Sequence, residues 1–388
     1  MLHFNENRAK AHRSLNRILL FLSSLIFMNL HAAWLNDVPV QITQPDDTVI
    51  NVYASGDEFH NWLHDEDGFT IILDPVTGYY CWAVAQNGDL VSTGQPTHIV
   101  AREFLNISQN ENISRDKYLD LRSEHDEWFS GREVRAPSLG VVQNLVVFIR
   151  FLGEEEFETS FSEFDDMFNA QGTNISSMYQ YFLDASYGQL EVISPFFPIP
   201  QGNTIVSFES EHPRGYFEPY SGTNLIGYLP SEKTERTQAL LRDAINDIED
   251  QVPIHLNIDA DNNGRVDNVS FIIKGSPNNW GNLLWPHMAK LSHYDVLIHG
   301  KIVWDYNFHI EKIIKESNNT DISVLAHEFM HTLSAPDLYR YYFGKDFMPI
   351  GLWDLMADHK NPPQSVSSHI KWKYTDWVDT FVIVPYKD

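Results

Sequence analysis

One segment, DISVLAHEFMHTLSAPDLY over Asp321–Tyr339, constrains this chain more than any other. Ile322, Leu325, Ala326, Phe329, Met330 and Leu333 recur at three- and four-residue spacing, which predicts a helix with an apolar stripe. Thr320 or Asp321 can cap its start, and Ser334 and Pro336 mark its end. His327 and His331 lie four apart and so share one helix face. They can hold a single metal ion, with Glu328 beside its open coordination position. Such a helix needs a substantial core around it, and 388 residues are enough for that core and a further unit.

The segment continues into a third candidate ligand. Asp337 follows His331 by six residues, past Ser334-Ala335-Pro336, where the chain must turn sharply to return to the metal. A carboxylate beside two imidazoles is an ordinary third zinc ligand; a Glu further downstream is the rival for that role. Two neutral histidines, one carboxylate and a water make a catalytic site. The metal brings the water's pKa toward about 7 and polarises a substrate carbonyl. Glu328 is placed to take the water's proton and pass it to the leaving amine.

The rest of the chain divides into four stretches. Residues 1–33 have a basic start (Arg8, Lys10, Arg13, Arg17), an apolar run Ile18–Leu30 and small Ala32-Ala33, the pattern of a cleavable export signal. From residue 34 to about 100 short β-prone runs (Val49–Tyr53, Gly68–Leu73, Tyr79–Ala85) alternate with turn signals such as Asn87-Gly88, so a small β-rich unit is expected. Residues 101–137 are polar and helical, then pass into FSGREVRAPS, an exposed linker whose Arg132 and Arg135 suit a trypsin-like activator. Residues 138–388 read as a larger α+β domain, with strands at Asn144–Phe151, Gln189–Ser194, Asp267–Gly275 and Ile302–Ile310. Its helices fall at Asn174–Ala185, Ser231–Asp250 and the histidine segment. His309 and Glu311, just before that segment, are candidates to line a cleft.

A net charge of −26 disfavours nucleic acid and anionic membranes as partners, and favours hard cations. One stretch has the spacing for such a cation. Asp259, Asp261, Asn263 and Asp267 stand at positions 1, 3, 5 and 9 of a loop with Gly264 at position 6, a shortened calcium-loop design. Its role would be structural. Cys81 is the sole cysteine, so no intrachain disulfide forms, and its aromatic strand context reads as a small buried hydrophobe.

A zinc helix followed by a turn containing Met356 resembles the metzincin arrangement. PDLY after the helix and WDLMA further on resemble the immune inhibitor A family of secreted bacterial metallopeptidases. NLVVFIRF with SSMYQYFLDASYGQL, DADNNGRVDNVSFIIKG and LLWPHM resemble that family's catalytic domain, and PVQITQPDDTVINVYASGDEFHNW with GFTIILDPVTGYYCWAVAQNGDLV its propeptide. The likeness runs from about residue 38 to 377. It implies a metzincin-like peptidase domain (a mixed twisted sheet with an active-site helix) over 138–388, behind a propeptide and linker over 34–137. His327, His331 and Asp337 are the implied zinc ligands, Glu328 the general base and Met356 a hydrophobic base beneath the metal. Tyr339 is the candidate for holding the tetrahedral intermediate. The chain departs from the pattern at Ser334, where a Gly is usual, and at Asp358, where a Tyr often follows the Met. The function expected is that of an exported, monomeric zinc endopeptidase acting on proteins or peptides, made as a zymogen with its own propeptide as inhibitor. The alternative is a catalytically inactive relative that binds calcium or a partner protein.

Overall fold

The computed structural model describes residues 35–57, 59–130, 136–275, 286–316, 319–339 and 349–379. The export-signal reading of residues 1–33 and the basic pair Arg132 and Arg135 lie outside them. No helix among the described residues is long and apolar enough to cross a membrane.

The first unit is a sheet of six strands: β1 (Leu35–Thr43), β2 (Val49–Gly56), β3 (Asn61–His64), β4 (Thr70–Leu73), β5 (Tyr80–Gln86) and β6 (Asp89–Pro96). Each pairs antiparallel with the next, in chain order. Asn87 and Gly88 close the β5–β6 hairpin with φ of 54° and 87°, the left-handed pair that an Asn-Gly turn supplies. Ile42, Val52, Ala54, Leu63, Ile71, Tyr80 and Trp82 give this sheet a core of its own. Helix α1 (Arg115–Ser130) follows.

The second unit is built on β7 (Gly140–Arg150), whose residues Val142–Ile149 are all buried. A strand buried along its whole middle, apolar from Leu145 to Ile149, belongs in the centre of a largely parallel sheet, covered on both faces. The chain continues through α2 (Phe161–Asn169), α3 (Met178–Ala185), the short strands β8 (Leu190–Ile193), β9 (Phe196–Phe197) and β10 (Phe208–Glu209), and α4 (Lys233–Ile248). Then come β11 (Asn268–Ile273), β12 (His287–Lys290), β13 (Leu297–Ile298), β14 (Lys301–Ile302) and β15 (Asp305–Ile310). The sheet order is β10-β7-β11-β15-β12, with β8 and β9 also on β7. Every pairing is parallel except β12 on β15, so an antiparallel strand forms one edge. The fold is therefore α+β. After the single turn α5 (Glu311–Ile314) comes the histidine helix, α6 (Ser323–Thr332), and later α7 (Ser368–Lys373).

Helix α6 differs from the amphipathic helix expected. All ten of its residues are buried, so it runs through the core with no solvent face. Its polar side chains must then find partners inside the protein. The two units also touch. The Gly222 amide donates to the Pro75 carbonyl at 3.0 Å, and a Cβ on Gly222 would stand 2.1 Å from the Val76 oxygen, so only glycine permits that approach.

Candidate metal centre

Local structure explains how the helix delivers its ligands. Asp321 caps the start, its Oδ1 accepting from the Ser323 amide at 2.9 Å. At the end, the Ala335 amide donates to the Met330 carbonyl (3.0 Å) and the Ser334 amide to the His331 carbonyl (2.8 Å). That bond pair is a Schellman turn, and it requires a left-handed residue at position 334. Ser334 takes it, with φ of 71°, at a cost of roughly 1 kcal/mol that glycine would not incur. The turn sends the chain back over the helix. Leu338 then donates its amide to the Met356 carbonyl at 2.7 Å, which ties the returning strand to the second turn.

The result is a convergence of three donor atoms. His327 Nε2 and His331 Nε2 are 3.1 Å apart, and Asp337 Oδ1 lies 3.0 Å from the first and 3.2 Å from the second. The donors on a tetrahedral zinc at 2.0–2.1 Å stand about 3.3–3.4 Å from one another, so the triangle is close to one face of that polyhedron. His327, His331 and Asp337 are the group among the described residues arranged to hold a metal. Backbone carbonyls stand against the Nδ1 atoms of both rings. His331 Nδ1 donates to the Ala335 carbonyl (2.8 Å), and His327 Nδ1 faces the Leu355 carbonyl (3.2 Å). A carbonyl can only accept, so His331 Nδ1 carries a hydrogen and its Nε2 faces the triangle, whereas His327 Nδ1 also has His359 Nε2 as a nearer neighbour at 2.8 Å.

Electrostatics agree with a site made for a cation. Burial pushes the Asp337 carboxyl up, but the charge of His331 and hydrogen bonds from both histidines outweigh it and hold Asp337 well below the usual range. Burial pushes His331 down, and Asp337 and Glu328 more than reverse this, lifting it to about 9. A proton thus occupies the triangle where no metal does, and a metal must displace it. Burial raises Glu328 above an ordinary carboxylate, against the charges of His327 and His331. The Met288 amide on β12 lends Glu328 a hydrogen bond, while Oε1 is buried with no hydrogen-bond partner.

Other expected residues fall as follows. Met356 is fully buried, in a turn whose Asp354 carboxylate accepts from the Met356 amide (2.8 Å) and the Ser367 amide (2.7 Å). Tyr339 is buried two residues beyond Asp337. His309 and Glu311 are both buried rather than exposed. His309 is buried and pushed down to about 3 by burial and His287, and Glu311 accepts from Thr159 Oγ1 (2.6 Å) and the Gly275 amide (2.8 Å). The loop Asp259–Asp267 is well formed and held by its own hydrogen bonds. Asp259 accepts from the Asn263 and Gly264 amides and from Lys301 Nζ at 2.5 Å, Asp267 accepts from the Ala260 amide, and Asp261 accepts from Asn263.

Three participants escape the sequence reading. His359 Nε2 lies 2.8 Å from His327 Nδ1, and only its place three residues after Met356 marks it in the sequence. Asn307 in β15 donates to the Glu328 carbonyl at 3.0 Å, and a polar residue inside a buried strand was its signal. Asp57, at the end of β2 in the first unit, is buried and held by the Phe59 and His60 amides and the Tyr118 hydroxyl. Burial, with the charge of Asp337 adding to it, lifts Asp57 to about 7.

No family model matches the sequence, and no curated protein matches it. Among solved structures, metalloproteinase-II from Bacteroides fragilis aligns over 88% of this chain and 86% of its own, with 13% identity and a TM-score of 0.30. A likeness that loose has no bearing on the site.

Proposed function

We propose that this chain is a zinc-dependent endopeptidase of metzincin-like layout, exported and held latent by its first unit. The observation that carries the reading is the triangle of His327 Nε2, His331 Nε2 and Asp337 Oδ1 with the unpartnered Glu328 Oε1 beside it. Kinship with the immune inhibitor A peptidases is part of the proposal and rests on the sequence motifs alone. Two imidazoles and a carboxylate suit zinc, and a zinc ion there supplies a Lewis acid for the scissile carbonyl and acidifies a water. The protein's own groups do the rest. His331 keeps its Nδ1 hydrogen on the Ala335 carbonyl, which leaves its Nε2 lone pair for the metal. Glu328 Oε1 takes the proton of the attacking water and returns it to the leaving amine nitrogen. Its raised proton affinity suits that shuttle.

The antiparallel edge strand β12 supports a peptide substrate. An extended chain can add to a sheet edge through its backbone, and Met288 on this edge contacts Glu328. Latency is supported by the burial of Asp57 within the electrostatic reach of Asp337. The test is casein hydrolysis by the zinc-loaded chain after cleavage in the 131–137 linker, with Glu328→Ala as the comparison. We expect hydrolysis, and a loss of at least about a thousandfold in kcat at unchanged zinc content in the variant. A zinc-loaded, cleaved chain that cuts no protein would overturn the reading.

A further inference from the structure

A line of buried amides crosses the sheet beneath α6. Asn144 on β7 donates to Ser194 Oγ at 3.1 Å, and its Oδ1 accepts from Ser270 Oγ (2.8 Å) and Asn268 Nδ2 (2.7 Å). Asn268 on β11 uses its other hydrogen on Asn307 Oδ1, also at 2.7 Å. Asn307 on β15 then donates to the Glu328 carbonyl (3.0 Å) and to Thr332 Oγ1 (3.3 Å), and Thr332 donates back to Asn268 Oδ1 at 3.2 Å. Asn144, Asn268 and Asn307 are all fully buried. These contacts also define which way each amide points, because reversing one would set donor against donor.

Such a network is expensive inside a core that apolar residues could fill. Its position indicates what it does. The Glu328 carbonyl already belongs to a helix ladder, so the Asn307 bond is additional and fixes the helix against the sheet. Across the strand, Asn307 pairs with Met288, whose amide reaches the Glu328 carboxylate. One residue is therefore gripped twice: by its backbone from β15 and by its side chain from β12. Leucines and valines would pack the helix to the sheet but leave it free to slide or rotate by fractions of an ångström. Directional bonds to one carbonyl and to Thr332, one residue beyond His331, do not.

We propose that Asn307, backed by Asn268 and Thr332, is a positioning residue for the reaction: it fixes the register of α6, so that Glu328 Oε1 meets the attacking water. This deepens the peptidase reading and rests on it. The experiment compares Asn307→Leu, Thr332→Val and Thr332→Ser in the full chain, with Ile245→Ala on α4 as a core variant that leaves the network intact. We expect Asn307→Leu and Thr332→Val to lower kcat by about tenfold to a hundredfold with KM within about twofold, since misplacement near 1 Å carries such a loss. Thr332→Ser, which keeps the hydroxyl, should restore wild-type kcat, and Ile245→Ala should keep kcat even though its melting point falls. Amide exchange over Ser323–Thr332 in the zinc-free chain reads the same anchor without catalysis, and should quicken by about tenfold in Asn307→Leu relative to α4. Unchanged kcat in both Asn307→Leu and Thr332→Val, or unchanged exchange over the helix, overturns the proposal. If Asn307→Leu does not fold, the Thr332 pair decides. An inactive wild type strikes the peptidase reading alone, and the exchange measurement still judges the anchor.

Discussion

At the end of α6, two imidazole nitrogens and a carboxylate oxygen meet within 3.2 Å of one another. In the loop Asp259–Asp267 the atoms that meet are carboxylates and N–H donors, with the Lys301 ammonium 2.5 Å from Asp259. Both stretches have a cation-binding spacing in the sequence. At one the folded chain places Lys301 against a carboxylate; at the other it gathers three atoms that could hold a metal. Spacing tells which oxygens and nitrogens can meet; it does not tell whether the chain answers them itself. Lys301 lies far down the sequence from Asp259, and nothing local announces it.

The contrast can be broken most forcefully at the ligands. Asp337→Ala should weaken zinc binding by about a hundredfold or more, since even residues behind the ligands are worth tenfold to a hundredfold. Asp259→Ala should leave zinc affinity unchanged. Competition with a zinc chelator measures both. Equal effects would erase the distinction, and full zinc retention in Asp337→Ala would move the third ligand downstream.

A smaller effect concerns protons. Burial, with Asp261 and Asp259 adding to it, lifts Asp267 from 3.8 to about 7. Its folded pKa exceeds its unfolded one, so its stabilising contribution is complete below about pH 3.8 and is lost as pH rises through 7. Between pH 5 and 8 Asp267 therefore pulls the melting temperature of the metal-free chain down as pH rises, against the opposite sign of His309, and Asp267→Asn should make the slope more positive than in the wild type. Asp57, also lifted to about 7, contributes the same sign as Asp267 and remains in the variant. A slope unchanged or more negative in the variant would contradict the assignment.

The smallest effect is at Ser334. With φ of 71° and no need of a side chain in the Schellman turn, Ser334→Gly should gain about 1 kcal/mol, read as a higher melting temperature with zinc bound. A loss would mean that the serine side chain has a role in the turn.

Much of this was legible before the structure. The β-prone runs around Val49, Ile71 and Tyr80, the long helix of Lys233–Ile248, and the buried strand of Asn144–Phe151 all stand where their patterns put them. The histidine helix was legible in kind but not in environment. Its apolar stripe implied a solvent face, and the structure has none, because strand, turn and helix close on it from every side. The cluster that could hold a metal was legible as far as local spacing encodes it: His327, His331, and Asp337 beyond a turn. What stayed hidden depends on contacts between distant segments. Asn307 is twenty-one residues from the carbonyl it holds, His359 thirty-two from the ring it meets, and Asp57 belongs to the other sheet. Each is an ordinary polar residue in sequence and acquires its role only through the fold.

The central claim is that His327, His331 and Asp337 hold one zinc ion. X-ray absorption at the zinc edge of the purified chain tests it directly. One zinc per chain is expected, with nitrogen and oxygen neighbours at about 2.0–2.1 Å, two of them showing the multiple scattering of imidazole rings. A sulfur neighbour near about 2.3 Å, which only a thiolate such as Cys81 or a methionine could supply, would contradict it, as would a chain that takes up no zinc.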